Sequence, residues 1–277
     1  MSTVGNGNYS SSSVQCGMRT LLICHDGAHL DQIALARWLA SFSQLLGVVV
    51  LKETKKRGWQ RIRREIRRVG MLRFLDVLAF RLYYKLFVAA SDREWEKNTL
   101  RELSAKYSQI EVPTLMANSP NSPEVESFIK QLSPDFVIAR CKTLLKESVF
   151  SIPSKGTFVM HPGICPEYRN AHGCFWALAN NDRDRVGMTL LRIDRGIDTG
   201  PIYGYYRYPF DETTESHVVI QNRVVIENLV QLESKFRDIY NGVAVPMEVV
   251  GRSSSTWGQP WLTKQIELKR RARQRKP

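Results

Sequence analysis

Five short apolar runs, each closed by a polar or glycine-containing loop, constrain this chain more than any other feature. They are "RTLLIC" at 19–24, "LLGVVVL" at 45–51, "PDFVIARC" at 134–141, "GTFVMHPG" at 156–163 and "VGMTLLRID" at 186–194. Short aliphatic runs without alternation read as strands buried on both faces. Helical patterns lie between them, at Leu30 to Leu45, at "PEVESFIKQLS" (123–133) and from Phe175 to Asn180. Such a β-loop-α-β order predicts an α/β domain: a mostly parallel twisted sheet flanked by helices. "SQIEVPTLM" (108–116) adds an extended piece, and "RGIDTGPIYGYYRYPF" (195–210) is a loop leading into another strand. Thr214 to Tyr240 reads as one long amphipathic helix. The turn after the first strand, "HDGAH", holds a single glycine and is no GxGxxG fingerprint, so no dinucleotide is inferred.

The segments outside this pattern define the organisation. Residues 1–18, rich in Ser, Gly and Asn and without an apolar h-region, read as a disordered leader. Residues 19–242 form the α/β domain, with a helical insert at about 55–107, and residues 243–277 an extended polar and basic tail. The five cysteines are odd in number and form no CxxC pair, which argues against disulfides and a cysteine-rich metal site and for a reducing cytoplasm. The run Met71 to Ala90 is interrupted by Arg73, Asp76, Arg81 and Lys85, so it is not expected to span a bilayer.

The net charge of +13 is unevenly placed. Lys55 to Arg73 holds nine basic residues and one acid, a net +8; Arg252 to Pro277 holds eight basic and one acid, a net +7. That leaves −2 for the rest of the chain, so a basic nucleic-acid-binding body is not indicated. Two readings of the insert stay open. Its basic amphipathic pattern suits peripheral contact with an anionic membrane, or it packs on the sheet with its arginines in water.

His161 ends an apolar run, where open α/β sheets bind ligands, and Asp198 lies in a polar loop after a later strand. A carboxylate beside an imidazole stabilises its charged form and fixes its orientation. The pair is either an acid/base device or a capped loop histidine with an aspartate folding its own Asp-Thr-Gly turn.

The stretch "HPGICPEYRNAHGCFWALAN…VGMTLLRIDRGIDTGPI" resembles the folate-dependent formyltransferase family. The matching positions are His161-Pro162, Pro166-Glu167-Tyr168-Arg169, Gly187-Met188-Thr189 and Asp198-Thr199-Gly200-Pro201-Ile202. The resemblance is specific over roughly His161 to Tyr203 and weak over the N-terminal half. It implies a Rossmann-like formyltransferase fold, 10-formyltetrahydrofolate as formyl donor and an amine as acceptor. By the same resemblance His161 is the general acid and electrostatic stabiliser, and Asp198 its partner. Tyr168, Arg169, Asn170 and His172, with His25 and Asp26 after the first strand, would contact the acceptor. The loop with Ile193, Asp194, Gly196 and Ile197 would hold the donor largely through its backbone, with Arg140 beside it. No metal is implied.

The chain departs from the family at Val159, where an asparagine usually donates to the oxyanion. Loss of one such donor costs ~3–4 kcal/mol. Asn170 and His172 are candidate replacements. The resemblance points to formyl transfer to a small amine or hydroxylamine, such as an amino sugar or a glycinamide-type acceptor. Formyltetrahydrofolate hydrolysis, or a non-catalytic membrane- or partner-binding member of the fold, are the alternatives. Without a long post-catalytic domain, initiator tRNA ranks low as acceptor. A homodimer stays open, and the expected location is cytoplasmic or membrane-peripheral. Cys165 and Cys174 read as packing residues, and His217 as a surface residue opening a helix.

Overall fold

The computed structural model describes residues 17–53 and 55–275. Residues 1–16 of the expected leader, Cys16 among them, lie outside the described residues. Strand β1 (Arg19–His25) leads through a π-helical turn, Leu30–Leu35, into α1 (Ala36–Phe42) and β2 (Gln44–Leu51). The helix expected to reach Leu45 stops at Phe42, because Ser43 is extended and its hydroxyl donates to the Leu39 carbonyl. The insert is three helices, α2 (Lys55–Val69), α3 (Met71–Phe87) and α4 (Ala89–Lys106). Then come β3 (Thr114–Ala117), α5 (Pro123–Leu132), β4 (Phe136–Arg140), a helical turn α6 (Glu147–Phe150) and β5 (Gly156–His161). The two-residue β6 (Arg169–Asn170), α7 (Gly173–Ala179), β7 (Met188–Arg192) and β8 (Ile202–Tyr206) follow. Last are α8 (His217–Ile226), α9 (Leu229–Tyr240), β9 (Thr256–Trp257) and α10 (Leu262–Arg275).

Among the described residues the main sheet has seven strands in the order β3-β2-β1-β4-β5-β7-β8. The first five run parallel; β7 is antiparallel to β5, and β8 to β7. Alternation decides the two faces. Leu22, Val48, Phe136, Phe158 and Met160 pack with Trp38, Leu39 and Phe236. Leu21, Val49, Val137 and Ala139 pack with Val125 and Ile129 of α5. Both faces are therefore covered, which is why these strands tolerate no polar alternation.

Three expectations about the C-terminal part change. The helix expected over Thr214–Tyr240 is two, broken where the buried Asn228 side chain donates to the carbonyls of Val224 (2.7 Å) and Arg207 (3.1 Å). The tail is not merely extended: β9 pairs parallel with β6, and α10 packs on α3 and α7. Its buried Gln265, Leu268 and Ala272 recur at helical spacing within a charged sequence that hides the stripe. His217 is buried rather than exposed, because Phe80 and Tyr84 of α3 and Phe175 of α7 pack against its ring.

The insert divides between two supports: α4 puts Leu103 into the core on one sheet face and packs on α8, whereas α3 lies against other helices. The inner face of α3 (Phe74, Val77, Phe80) is buried, and α3 packs against α10. Phe80 joins Phe175, Trp176 and Leu268 in one apolar cluster, so α3 rests on α7 and the C-terminal helix.

Candidate active site

The last residue of β5 and one residue of the β7–β8 loop meet here. His161 is 4% exposed, and its Nδ1 lies 3.4 Å from Asp198 Oδ2. Nε2 lies 2.8 Å from the Tyr168 carbonyl oxygen, which can only accept, so Nε2 carries a hydrogen. The Asn170 backbone N–H donates to the same Asp198 oxygen at 2.7 Å. The ring is thus held from both sides, by a carbonyl and by a carboxylate fixed independently of it.

The loop from Pro162 to His172 must fold tightly to present these groups. A Cβ on Gly163 would sit 2.4 Å from the Tyr168 carbonyl oxygen, and one on Gly173 would sit 2.6 Å from Gly163 Cα. Only glycine fits such an approach. Thr189 on β7, part of the matching motif but given no role from sequence, braces the turn: its hydroxyl donates to the Gly163 carbonyl (2.6 Å) and accepts from Cys165 N–H (3.0 Å). Glu167, in the same matching stretch as Tyr168 and Arg169, likewise had no role assigned from sequence. Though buried, it is paired by Arg252 at 3.0 and 2.6 Å, which straps the C-terminal segment to this loop. No local sequence pattern announces a partner 85 residues away.

Asp198 does not reach His161 by lying at an adjacent strand end. Because β7 is antiparallel, its last residue, Arg192, faces Phe158, three residues before His161. The loop beyond it folds back along β5. Asp194 organises that return, accepting from Gly196 N–H (2.9 Å) and from the Thr199 hydroxyl (2.8 Å). Asp194, rather than Asp198, folds the turn. Asp198 itself sits at φ +51 and Asn170 at φ +78, left-handed conformations that Asp and Asn tolerate best among side-chain-bearing residues.

Several residues expected to contact substrate make hydrogen bonds within the protein. The Tyr168 side chain is buried, stacks on Trp257 and donates to Asp182 Oδ2 at 2.9 Å; its carbonyl is what touches His161. The Asn170 amide donates to the Trp257 carbonyl. Arg140 Nε donates to Asp31 Oδ1 (2.9 Å) and Nη1 to the Met160 carbonyl (2.7 Å), so its charge is engaged inside the protein. Ile193 N–H donates to Thr157, and Ile197 accepts from Arg169 Nη1 at 3.0 Å. His25 Nε2 accepts from Lys142 N–H at 3.0 Å, and burial and Lys142 hold its pKa below the usual value. Asp26 stands exposed on the following turn.

His172 turns toward the insert. Its ring lies 5.5 Å from that of His217, which touches Phe80, Tyr84 and Phe175. Its Nδ1 is buried without a hydrogen-bond partner, and burial, then Lys142 and Arg81, push its pKa down to about 4. A neutral ring packed there does not replace the missing donor. Val159, on the same face of β5 as His161, joins Cys165, Leu191 and Ile202 in a small apolar cluster. Burial raises the thiols of Cys165 and Cys174, the latter to about 12, which leaves them as packing groups.

Arg169 lies between the residues that hold His161 and Asp198, and its Nε is buried without a partner. A cavity of about 290 Å³, lined by none of His161, Arg169 and Asp198, opens between the Ala28–Asp31 turn, the α3–α4 junction and α8. Asp31, Asp92, Arg93, Glu96 and Asn222 supply its polar lining. Asp31 connects it to the site through Arg140 and the carbonyl of Met160, the residue before His161.

Two relatives are methionyl-tRNA formyltransferases. That of Kosmotoga olearia is 36% identical over 92 residues, covering 33% of this chain and 29% of the relative. That of Thermus thermophilus is 28% identical over 182 residues, covering 64% and 54%. The chain thus spans about half the length of these relatives, or less. Two solved structures share the fold at a TM-score of 0.51. A sugar N-formyltransferase from Shewanella sp FDAARGOS_354 is 14% identical, with 87% of this chain and 76% of that one covered. A phosphoribosylglycinamide formyltransferase from Anaplasma phagocytophilum is 13% identical, with 88% and 99% covered. The family model described as formyl transferase matches residues 87–231, which include both His161 and Asp198. With that match over more than half of its length, the chain belongs to the formyl transferase family.

Proposed function

We propose that this protein transfers a formyl group to the nitrogen of a small acceptor, an amine or hydroxylamine of amino-sugar or glycinamide type. The family's formyl donor is 10-formyltetrahydrofolate, which supplies the formyl carbon that an acceptor nitrogen attacks. The observation that carries the reading is the buried His161–Asp198 pair, 3.4 Å apart at the end of β5. A protonated imidazole meets negative charge developing on an oxygen and hands a proton to a leaving nitrogen. Asp198, fixed by the Asn170 N–H, keeps the ring oriented and takes up the acceptor's proton. In the resting arrangement a substrate oxygen competes with the Tyr168 carbonyl for the hydrogen on Nε2.

The residues present fit a polar donor. Arg169 Nε is buried without a partner beside the Ile197 carbonyl, and an acceptor oxygen on a bound molecule would complete it. The 290 Å³ cavity supports a small acceptor, being near the lower end of ligand-pocket volumes. The buried free thiols Cys24, Cys165 and Cys174 support a cytoplasmic setting.

Calorimetric titration with 5-formyltetrahydrofolate, a stable stand-in for the donor, tests the reading. Micromolar binding, weakened in Asp198→Ala, is expected, followed by acceptor-dependent release of tetrahydrofolate across a panel of amines. Absence of binding at millimolar ligand would remove the folate reading. Release without any acceptor would make the protein a hydrolase.

A further inference from the structure

Helix α3 is apolar on both sides. Its inner face is buried, yet Leu72, Leu75, Leu78, Leu82 and Leu86 are between 42% and 86% exposed, and Phe87 at its end is 74% exposed. At 100° per residue the five leucines fall in one stripe, and a helix of this length runs about 25 Å. Stable soluble surfaces seldom leave a continuous apolar stripe uncovered. Across Gly70 lies α2, whose Arg63, Arg64 and Arg67 are exposed and whose Trp59 is 66% exposed. The one acid between Lys55 and Arg73, Glu65, is already paired with Arg68 at 2.6 Å. The family match begins at residue 87, so α2 and nearly all of α3 lie outside it, as do β1 and β2.

We infer that α2 and α3 dock this protein onto the surface of an anionic bilayer. The leucine stripe enters the headgroup–acyl boundary, and the α2 arginines meet lipid headgroup charge. A bilayer supplies both things this face is complementary to, an apolar interior and dense negative charge. A second copy supplies the first but opposes the second, because two chains of +13 would meet through their most basic segments. No helix among the described residues is long and apolar enough to cross a membrane, so the contact is peripheral.

Flotation with vesicles tests this. The full chain is expected to float at low salt with phosphatidylcholine vesicles containing about 30% phosphatidylserine. Binding should fall about tenfold with pure phosphatidylcholine, and again in ~0.5 M salt. Leu75→Glu/Leu82→Glu and Arg63→Glu/Arg64→Glu should each weaken flotation about tenfold with thermal midpoints unchanged, since the replaced side chains are exposed. Anionic vesicles should also blue-shift the tryptophan emission, and Trp59→Phe should lose that component. A wild-type protein that stays in solution overturns the inference, as does flotation indifferent to the leucine variants. So does a dimer that the leucine variants split while no vesicle is bound, which would assign the stripe to a second copy.

Discussion

Two histidines eleven residues apart in one loop show how neighbours set the use of a buried imidazole. His161 is buried between the Tyr168 carbonyl and the Asp198 carboxylate, so both nitrogens face groups that welcome hydrogen. His172, at the other end of the loop, packs against His217 under the field of Lys142 and Arg81, with Nδ1 sealed off and unpartnered. Burial alone penalises a charged ring. At the second position nearby cations add to that cost. The first ring is held between a carbonyl and a carboxylate, while the second is a neutral packing element joining α7 to the insert.

The comparison can be broken most directly at Asp198. Asp198→Asn should lower kcat/KM by ~10³, since the imidazole loses its orienting charge. His172→Phe should leave kcat/KM within about threefold, because the ring lies in the packing between α7 and the insert. Steady-state kinetics on both variants checks the contrast, and equal losses would abolish it. Val159→Asn should sharpen it by restoring an amide donor on the His161 face of β5. Turnover is expected to rise by up to ~10², read in the same assay.

A third test uses pH. The unfolded chain protonates His172 near 6.5, whereas the folded chain resists until about 4. Below pH 6.5 the unfolded state therefore binds the extra proton, and stability falls as pH drops from 6.5 toward 4. The loss from this residue is ~2–3 kcal/mol. His217, held well below its usual pKa by burial and by His172, acts in the same direction. Urea midpoints at pH 7 and pH 5 should differ less in His172→Phe than in the wild type. The smallest expected effect is that of Glu167→Gln, which weakens the Arg252 strap and should cost ~1–2 kcal/mol in urea unfolding.

Much of this was legible in the chain. Unbroken aliphatic runs identified β1, β2, β4, β5 and β7 because strands covered on both faces leave no room for polar residues. His161 and Asp198 were legible through local motif and loop position. What escaped depends on distant partners. The antiparallel sense of β7 is set by pairing rather than composition. The burial of His217 follows from α3 covering it, and the order of α10 from an apolar stripe diluted by arginines. For Tyr168 the sequence drew attention to the side chain, whereas the atom that meets His161 is a carbonyl, which every residue has, placed by glycines on either side.

The fold-back after β7 makes backbone length a determinant of chemistry. From Arg192 opposite Phe158, the chain must return three strand positions, about 10 Å, to bring Asp198 to His161. Each added or deleted residue shifts the reach by up to ~3.3 Å, comparable to the whole His–Asp separation. Ile193 to Pro201 therefore acts as a gauge block. Evolution or engineering can change many side chains along it and keep the pair, while one inserted residue with no other change would uncouple it.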